Sequence, residues 1–294
     1  MRPVIFGEVL FDVFQEAAVL GGAPFNVAWH LQGLNLPTLF ISRIGKDDLG
    51  ERIKQRMMNW GMDIAGLQED STYPTGQVQV HKSGPEHRFE TQPDQAYDYI
   101  DTKKALTSLG QDPLLLYHGS LATRTPPSKT ALTALKRQLA CPVFIDINLR
   151  APWWKKDHCL ALIKKANWVK MNDEELDALA PSGQTHENRA RTLMERMKVQ
   201  NFILTRAQKG AILFTQNKTY NCSPPKENRD TLEIVDTVGA GDAFAAVVIL
   251  GLIQNWPSQH ILERAQNFAL QICAQRGAIS SDRNIYQKTL ETWA

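Results

Sequence analysis

Nine residues near the C-terminus combine the groups that phosphoryl chemistry needs: Asp236-Thr237-Val238-Gly239-Ala240-Gly241-Asp242-Ala243-Phe244. They read as a strand end, a tight glycine turn and a helix start. Small residues let a phosphate lie against the backbone, and the first turn of a helix directs its unpaired N–H groups at that phosphate. Asp242 lies in the same turn. An anion cradle beside a carboxylate base suits phosphoryl transfer to a hydroxyl. A plainer reading also fits, with Asp242 capping the helix read over Ala243–Leu252. The turn is not a Walker A loop, because GxxxxGK[ST] occurs nowhere in the chain. Nor is it a dinucleotide fingerprint, because no third glycine follows Gly239-Ala240-Gly241.

A second glycine cluster, Gly21-Gly22-Ala23-Pro24-Phe25-Asn26, lies near the N-terminus and leads into a helix. Pro24 falls in the first turn, where its missing N–H costs nothing. Asn26 follows on that turn, within reach of a ligand hydroxyl. Asp12, just past the first strand, is placed to accept bonds from two sugar hydroxyls, and charge-assisted bonds contribute ~1.5–3 kcal/mol each. The alternative is that Asp12 caps a turn and Asn26 the helix. The run Asn172-Asp173-Glu174-Glu175 reads by itself as a helix start with acids on the positive dipole end.

The elements that must position these groups alternate along the chain. Strands are expected at 3–9, 38–44, 114–121, 142–147, 168–171 and 202–205. Helices are expected at 23–34, 48–60 (stopped by Gly61), 127–139, 155–166, 186–197 and 259–275. This order predicts an α/β fold with a mostly parallel sheet and helices on both faces, binding ligands beyond the carboxyl ends of its strands. Residues 11–20 follow the first strand without a helix. The alternating run 76–91, with a Ser83-Gly84-Pro85 turn, reads as a hairpin. Both pieces suit a small β-lid or an ordinary surface hairpin. His81 and His87 flank that turn.

The 294 residues, 43% hydrophobic, suffice for a large core. A net charge of +2 argues against a nucleic-acid face or a polybasic membrane patch. No apolar run approaches the ~20 residues of a membrane span. The N-terminus enters a strand-like run without a signal peptide's apolar core. Cys141, Cys159, Cys222 and Cys273 are scattered without a CxxC pair, so neither zinc nor a disulfide framework is expected. These features predict a cytoplasmic protein.

The two glycine clusters together resemble the signatures of the ribokinase-like (PfkB) carbohydrate kinases. Asp236–Phe244 is similar to the family's C-terminal DTxGAGDxF element. Gly21–Ala28, continued by Arg43-Ile44-Gly45-Lys46-Asp47-Asp48-Leu49-Gly50, is similar to its N-terminal one. The resemblance implies a single ribokinase-like domain over 1–294 with lid segments near 11–20 and 76–98. It implies Asp242 as the base that takes the proton from the sugar hydroxyl, and Gly239, Ala240 and Gly241 as the anion hole. Asp12, Gly22 and Asn26 fall on sugar contacts. Asn148 and Arg150, in a DxNxR stretch, face sugar or phosphate, although Arg150 also suits a surface ion pair. Asn172 and Glu175 match the NxxE element, with Glu175 acting on Mg²⁺ indirectly. Thr205, Gly210 and Asn267 fall on nucleotide contacts. In the family's Thr-x-Gly-x-x-Gly run, Ala207 stands here for the first glycine and loses some backbone freedom.

The cofactors so implied are ATP and Mg²⁺, with K⁺ near the anion hole beside Asp236 in activated members. The expected partners are a small-molecule sugar and ATP, not nucleic acid or membrane. Lid strands pair between subunits in some members, which makes a homodimer one expectation. Gly7-Glu8-Val9-Leu10-Phe11-Asp12 and Gly22-Ala23-Pro24 most resemble bacterial fructokinases. The alternatives are a 2-keto-3-deoxygluconate kinase, a ribokinase, a nucleoside kinase or a catalytically silent sugar-binding member. The stretch Pro93–Tyr99 lacks the arginine many fructokinases carry there.

Overall fold

The structure is a computed structural model and describes residues 1–14, 17–83, 86–110, 112–181, 183, 185–224 and 233–293. It forms two compact units, Met1–Cys141 and Pro142–Ala294.

The first unit contains β1 (Val4–Phe6), β2 (Leu10–Val13), β3 (Ala18–Gly21), α1 (Ala23–Gly33), β4 (Leu39–Gly45) and α2 (Asp48–Trp60). These are followed by β5 (Leu67–Asp70), β6 (Gly76–Ser83), β7 (Glu86–Thr91), α3 (Thr102–Thr107), β8 (Leu116–His118) and α4 (Pro126–Gln138). Strands β8, β1, β4 and β5 pair in that order, all parallel. The Val-Ile-Phe of β1 is apolar on both faces because it is central in that sheet and fully buried. A separate four-stranded sheet has the order β3-β2-β6-β7. The read hairpin is therefore real as β6 and β7, antiparallel from Val78↔Thr91 to Ser83↔Glu86. Its Gly84–Pro85 turn, and the side chains of His81 and His87, lie outside the described residues.

Helix α2 shows how local rules fix an element. Asp47 caps it, accepting from Gly50 N at 2.8 Å, and Gly61 ends it in the left-handed region. Its buried residues Ile53, Met57 and Trp60 recur at helical spacing. Trp60 stacks on Trp29 of α1 with centroids 4.7 Å apart and planes within 1°, and its Nε1 donates to Trp29 O at 3.0 Å.

The second unit contains β9 (Val143–Asp146), α5 (Lys156–Ile163), β10 (Trp168–Asn172), α6 (Asp173–Leu179), α7 (His186–Met197) and β11 (Asn201–Thr205). Then come β12 (Ala211–Phe214), β13 (Thr219–Cys222), α8 (Ala240–Ile253), α9 (Ser258–Ile272) and α10 (Arg283–Trp293). Strands β9, β10 and β11 are parallel, and β12 and β13 continue the sheet antiparallel. Ile145, Val169, Met171, Leu204 and neighbouring side chains pack into one apolar cluster. Helix α8 is buried continuously from Ala243 to Gly251, as its all-apolar sequence requires.

The structure corrects the sequence reading in several places, and β5, α3 and α10 were not read as elements at all. The helix read over Ala243–Leu252 begins three residues earlier, at Ala240, because Gly239 in the left-handed region serves as its N-cap. The antiparallel β12–β13 pair went unread, because each strand is four residues long and β13 is largely polar.

Candidate active site

In the second unit, the Gly239–Asp242 turn is held from below by its own aspartate. Asp236 Oδ1 accepts from Val238 N and Oδ2 from Gly277 N, each at 3.0 Å. The N–H groups of Val235 and Asp236 both donate to Cys273 O, at 2.8 and 3.1 Å. The chain then enters α8 through Gly239, at φ 81° and ψ −4°. A Cβ there would lie 2.4 Å from both Cα and Cβ of Ala278, so only glycine passes. Asp242 occupies the first turn of α8, not its cap. The capping role weighed for it in the sequence belongs to Gly239. N–H groups at the head of this 14-residue helix and a half-buried carboxylate thus share one turn. Ala240 N–H is loosely held by Thr237 O at 3.3 Å.

Beside this turn stand the carboxyl ends of β9, β10 and β11. Asn172 caps α6 in a reciprocal box: Glu175 N donates to Asn172 Oδ1 and Asn172 N to Glu175 Oε2, both at 2.8 Å. Leu149 N donates to the other oxygen, Glu175 Oε1, at 3.0 Å. Glu175 therefore fastens the 148–150 loop to the end of β10. Asn148 sits in that loop at φ 45°, and Arg150 is exposed. Thr205 pairs in register with Asn172, which puts the two strand ends side by side. Ala207 takes φ 46°, the left-handed conformation a glycine would adopt without cost, and Gly210 closes the loop by accepting from Arg206 N at 2.8 Å. Asn267 lies on α9, and no hydrogen bond among the described residues links it to these groups.

The electrostatics centre on residues that the sequence reading passed over. Lys170 Nζ pairs with Asp146 Oδ2 at 2.7 Å, with both side chains almost fully buried. A Cβ on Gly241 would lie 3.3 Å from that Nζ, so the ammonium underlies the glycine turn. Burial alone would lower the Lys170 pKa, but Asp146, Glu175 and Asp242 outweigh it and raise it. Glu175 is pushed up by its own burial and by Asp146, against Lys170 and the two backbone donors. The signal for Lys170 was legible: a lone charge inside the buried strand Trp168-Val169-Lys170-Met171.

In the first unit, β2 and β3 pair antiparallel with Leu10 opposite Gly21. This brings the Asp12 carboxylate to 3.5 Å from where a Gly21 Cβ would stand, at the entrance to α1. Gly22 is the N-cap at φ 110°, where a Cβ would meet Glu8 O at 2.7 Å. Asn26 is in the first turn, its N–H bonded to Gly22 O at 2.8 Å, and its side chain is buried. Neither alternative capping role holds: Asp12 is in mid-strand and the helix cap is Gly22. The stretch 93–99, which lacks an arginine of its own, receives one from Arg124. That guanidinium holds Asp98 with two bonds, 2.7 and 2.6 Å long, donates to Gln92 O at 2.7 Å and lies 5.3 Å from the Tyr97 ring centroid.

Among the described residues, no group of three or more His, Cys, Asp or Glu side chains is placed to hold a metal ion. Both oxygens of Glu175 and of Asp236 already accept backbone N–H groups. A Mg²⁺ at this site would therefore be held chiefly by nucleotide phosphates and waters rather than by these carboxylates. No helix among the described residues is long and apolar enough to cross a membrane.

Comparison with known proteins matches residues 3–285 to the pfkB family carbohydrate kinase model. The chain is 26% identical to fructokinase of Escherichia coli over 305 aligned positions, covering 94% of each chain. It is also 26% identical to fructokinase-2 of Oryza sativa subsp. japonica, covering 95% of this chain and 88% of that one. Among solved structures, fructokinase of Vibrio cholerae O395, in a form holding fructose, ADP and calcium ion, superposes with a TM-score of 0.80 at 23% identity, covering 97% and 98% of the two chains. Two glycine-led helix starts in chain order, each beside an aspartate and carried on the fold of these kinases, agree with the family match: the chain belongs to the PfkB family of carbohydrate kinases.

Proposed function

We propose that this carbohydrate kinase is a fructokinase, transferring the γ-phosphoryl group of ATP to a fructose hydroxyl. The observation that carries the reading is the Gly239–Asp242 turn, where a left-handed glycine cap, a helix N-terminus and a first-turn carboxylate converge. Asp242 takes the proton from the attacking hydroxyl, worth ~10²–10⁴-fold in rate. The N–H groups of Gly239, Ala240 and Gly241 face the charge that develops on the transferred group, at ~2.7–4 kcal/mol per donor by analogy with oxyanion holes. Asp12, Gly22 and Asn26 hold the sugar, and Asn148 and Arg150 serve sugar or phosphate. Asn172, Thr205, Gly210 and Asn267 serve the nucleotide. Mg²⁺ bound with ATP would neutralise charge on the phosphates, with Glu175 acting on it indirectly, and a K⁺ would sit beside Asp236.

Fructose is favoured over other sugars by the likeness to fructokinases along nearly the whole chain. The test is an ADP-release assay with MgATP, with and without K⁺, across fructose, ribose, 2-keto-3-deoxygluconate, glucose and adenosine. The expected result is the highest kcat/KM on fructose. A higher value on another acceptor would move the chain to that branch. A fructose-dependent thermal shift without turnover would mark a silent sugar-binding protein and refute the proposal.

A further inference from the structure

Lys170 has no part in the mechanism above, yet its buried ammonium lies beside the proposed phosphate site. It projects from the last turn-facing stretch of β10 into a space shared with three carboxylates. Asp146 pairs with it directly at 2.7 Å, while Glu175 and Asp242 act on it through space. Its ammonium lies beneath Gly241, close enough that a methyl group on that residue would touch it. The apolar cluster of Ile145, Val169 and Met171 already packs β9 against β10. A buried ion pair adds little stability over apolar residues of the same volume, so packing gives no reason for a lysine there. Charge does: a phosphoryl group arriving at this turn would face three carboxylates, and Lys170 is the cation seated among them.

We propose that Lys170 is a positioning residue for phosphoryl transfer: its fixed positive charge, pinned by Asp146 under Gly241, holds the Gly239–Asp242 turn against the negative charge of the transferred group. The inference rests on the reading of that turn as the phosphate site. It separates the role of Lys170 from simple neutralisation of Asp146, because the two make different demands when both partners are removed together.

The test compares wild type with Lys170→Met, Asp146→Asn and the double variant Asp146→Asn/Lys170→Met. Each is examined by thermal unfolding, by ADP release, and by calorimetric binding of MgADP with and without aluminium fluoride, a mimic of the transferring phosphoryl group. Lys170→Met alone should lower both the unfolding midpoint and turnover, since it strands a buried carboxylate. The double variant should recover the midpoint, while kcat stays down about 10²-fold and the KM for sugar and the Kd for MgADP stay within about twofold. Its tightening of MgADP by aluminium fluoride should fall by about tenfold or more. Asp146→Asn, which keeps the ammonium and leaves an amide oxygen to accept its hydrogen bond, should retain kcat within about threefold. Recovery of turnover together with stability in the double variant would show that Lys170 only balances Asp146, and would overturn the proposal. So would a loss in Asp146→Asn equal to that of the double variant, a comparison that holds even if the double variant folds poorly. If wild type phosphorylates none of the acceptors, the fructokinase reading fails. The fluoride comparison then decides this one by itself: an effect that depends on Lys170 supports it, and one retained without Lys170 overturns it.

Discussion

Substituting Gly239 by alanine puts the geometry of the turn to its most direct test. The added Cβ would fall 2.4 Å from Ala278 Cα and Cβ and 2.7 Å from Ala278 O. Ordinary contacts of this kind are about 3.5–4 Å, so the turn or the Ala278 backbone must move by roughly 1 Å. The residue must also keep φ near 81°, which costs a non-glycine about 1–2 kcal/mol. Overpacking adds about 1–3 kcal/mol, for a total of about 2–5 kcal/mol. A 1 Å shift of donors aimed at a transferring group costs about 10²-fold in rate. Gly241→Ala is the matched control: Gly241 has no left-handed φ, and its Cβ would stand 3.3 Å from Lys170 Nζ. It should cost clearly less than Gly239→Ala, because only the end of one side chain has to give and no strained φ is imposed. Urea unfolding and ADP release on both variants are the assay. If Gly239→Ala unfolds within about 0.5 kcal/mol of wild type and keeps full turnover, the N-cap geometry does not control the site and the reasoning fails.

Three further outcomes are expected. Asp242→Asn should lower kcat by about 10²–10⁴-fold while leaving sugar affinity by calorimetry unchanged; near-normal turnover would exclude Asp242 as the base. Asp47→Ala should cost about 2–3 kcal/mol at neutral pH, because its carboxylate holds Gly50 N, Thr75 N and Thr75 Oγ1 at 2.8, 2.8 and 2.6 Å. Burial alone would raise the Asp47 pKa, but these hydrogen bonds hold it below the ordinary 3.8. Its contribution is therefore complete above that value and lost as pH falls through the lower native one, so the gap between wild type and variant should narrow in unfolding curves at pH 3 relative to pH 7. Ala207→Gly should stabilise the loop locally by about 1 kcal/mol by relieving φ 46°, offset in part by the greater freedom of glycine when unfolded; a clear loss of stability would contradict the strain.

The chemistry-bearing turns were legible because glycine, proline and aspartate act locally. Gly239 can take the left-handed conformation its turn needs, Pro24 suits a helix's first turn, and Asp47 and Gly61 bracket a helix whose apolar stripe is visible in its residues. The parallel strands were legible as short apolar runs between helices. What escaped the reading depends on partners distant in the chain. The Arg124–Asp98 pair spans 26 residues, and Lys170–Asp146 spans 24. No spacing rule links such positions until a sheet and a short helical turn bring them together. Glu175 was read for its part in the NxxE element, but not for its bond to Leu149 N, which exists only because β9 and β10 lie side by side.

The Trp29–Trp60 stack has a use outside packing. Two indoles held face to face couple their electronic transitions, and the sign and strength of the resulting dichroism depend on their mutual angle. Trp29 lies one turn beyond Asn26 on the helix whose N-cap is Gly22, and Trp60 closes α2. A ligand that tilts the first of these helices relative to the second changes that angle. The protein thus carries an intrinsic optical gauge of events at that helix start, readable in solution without a label and without turnover.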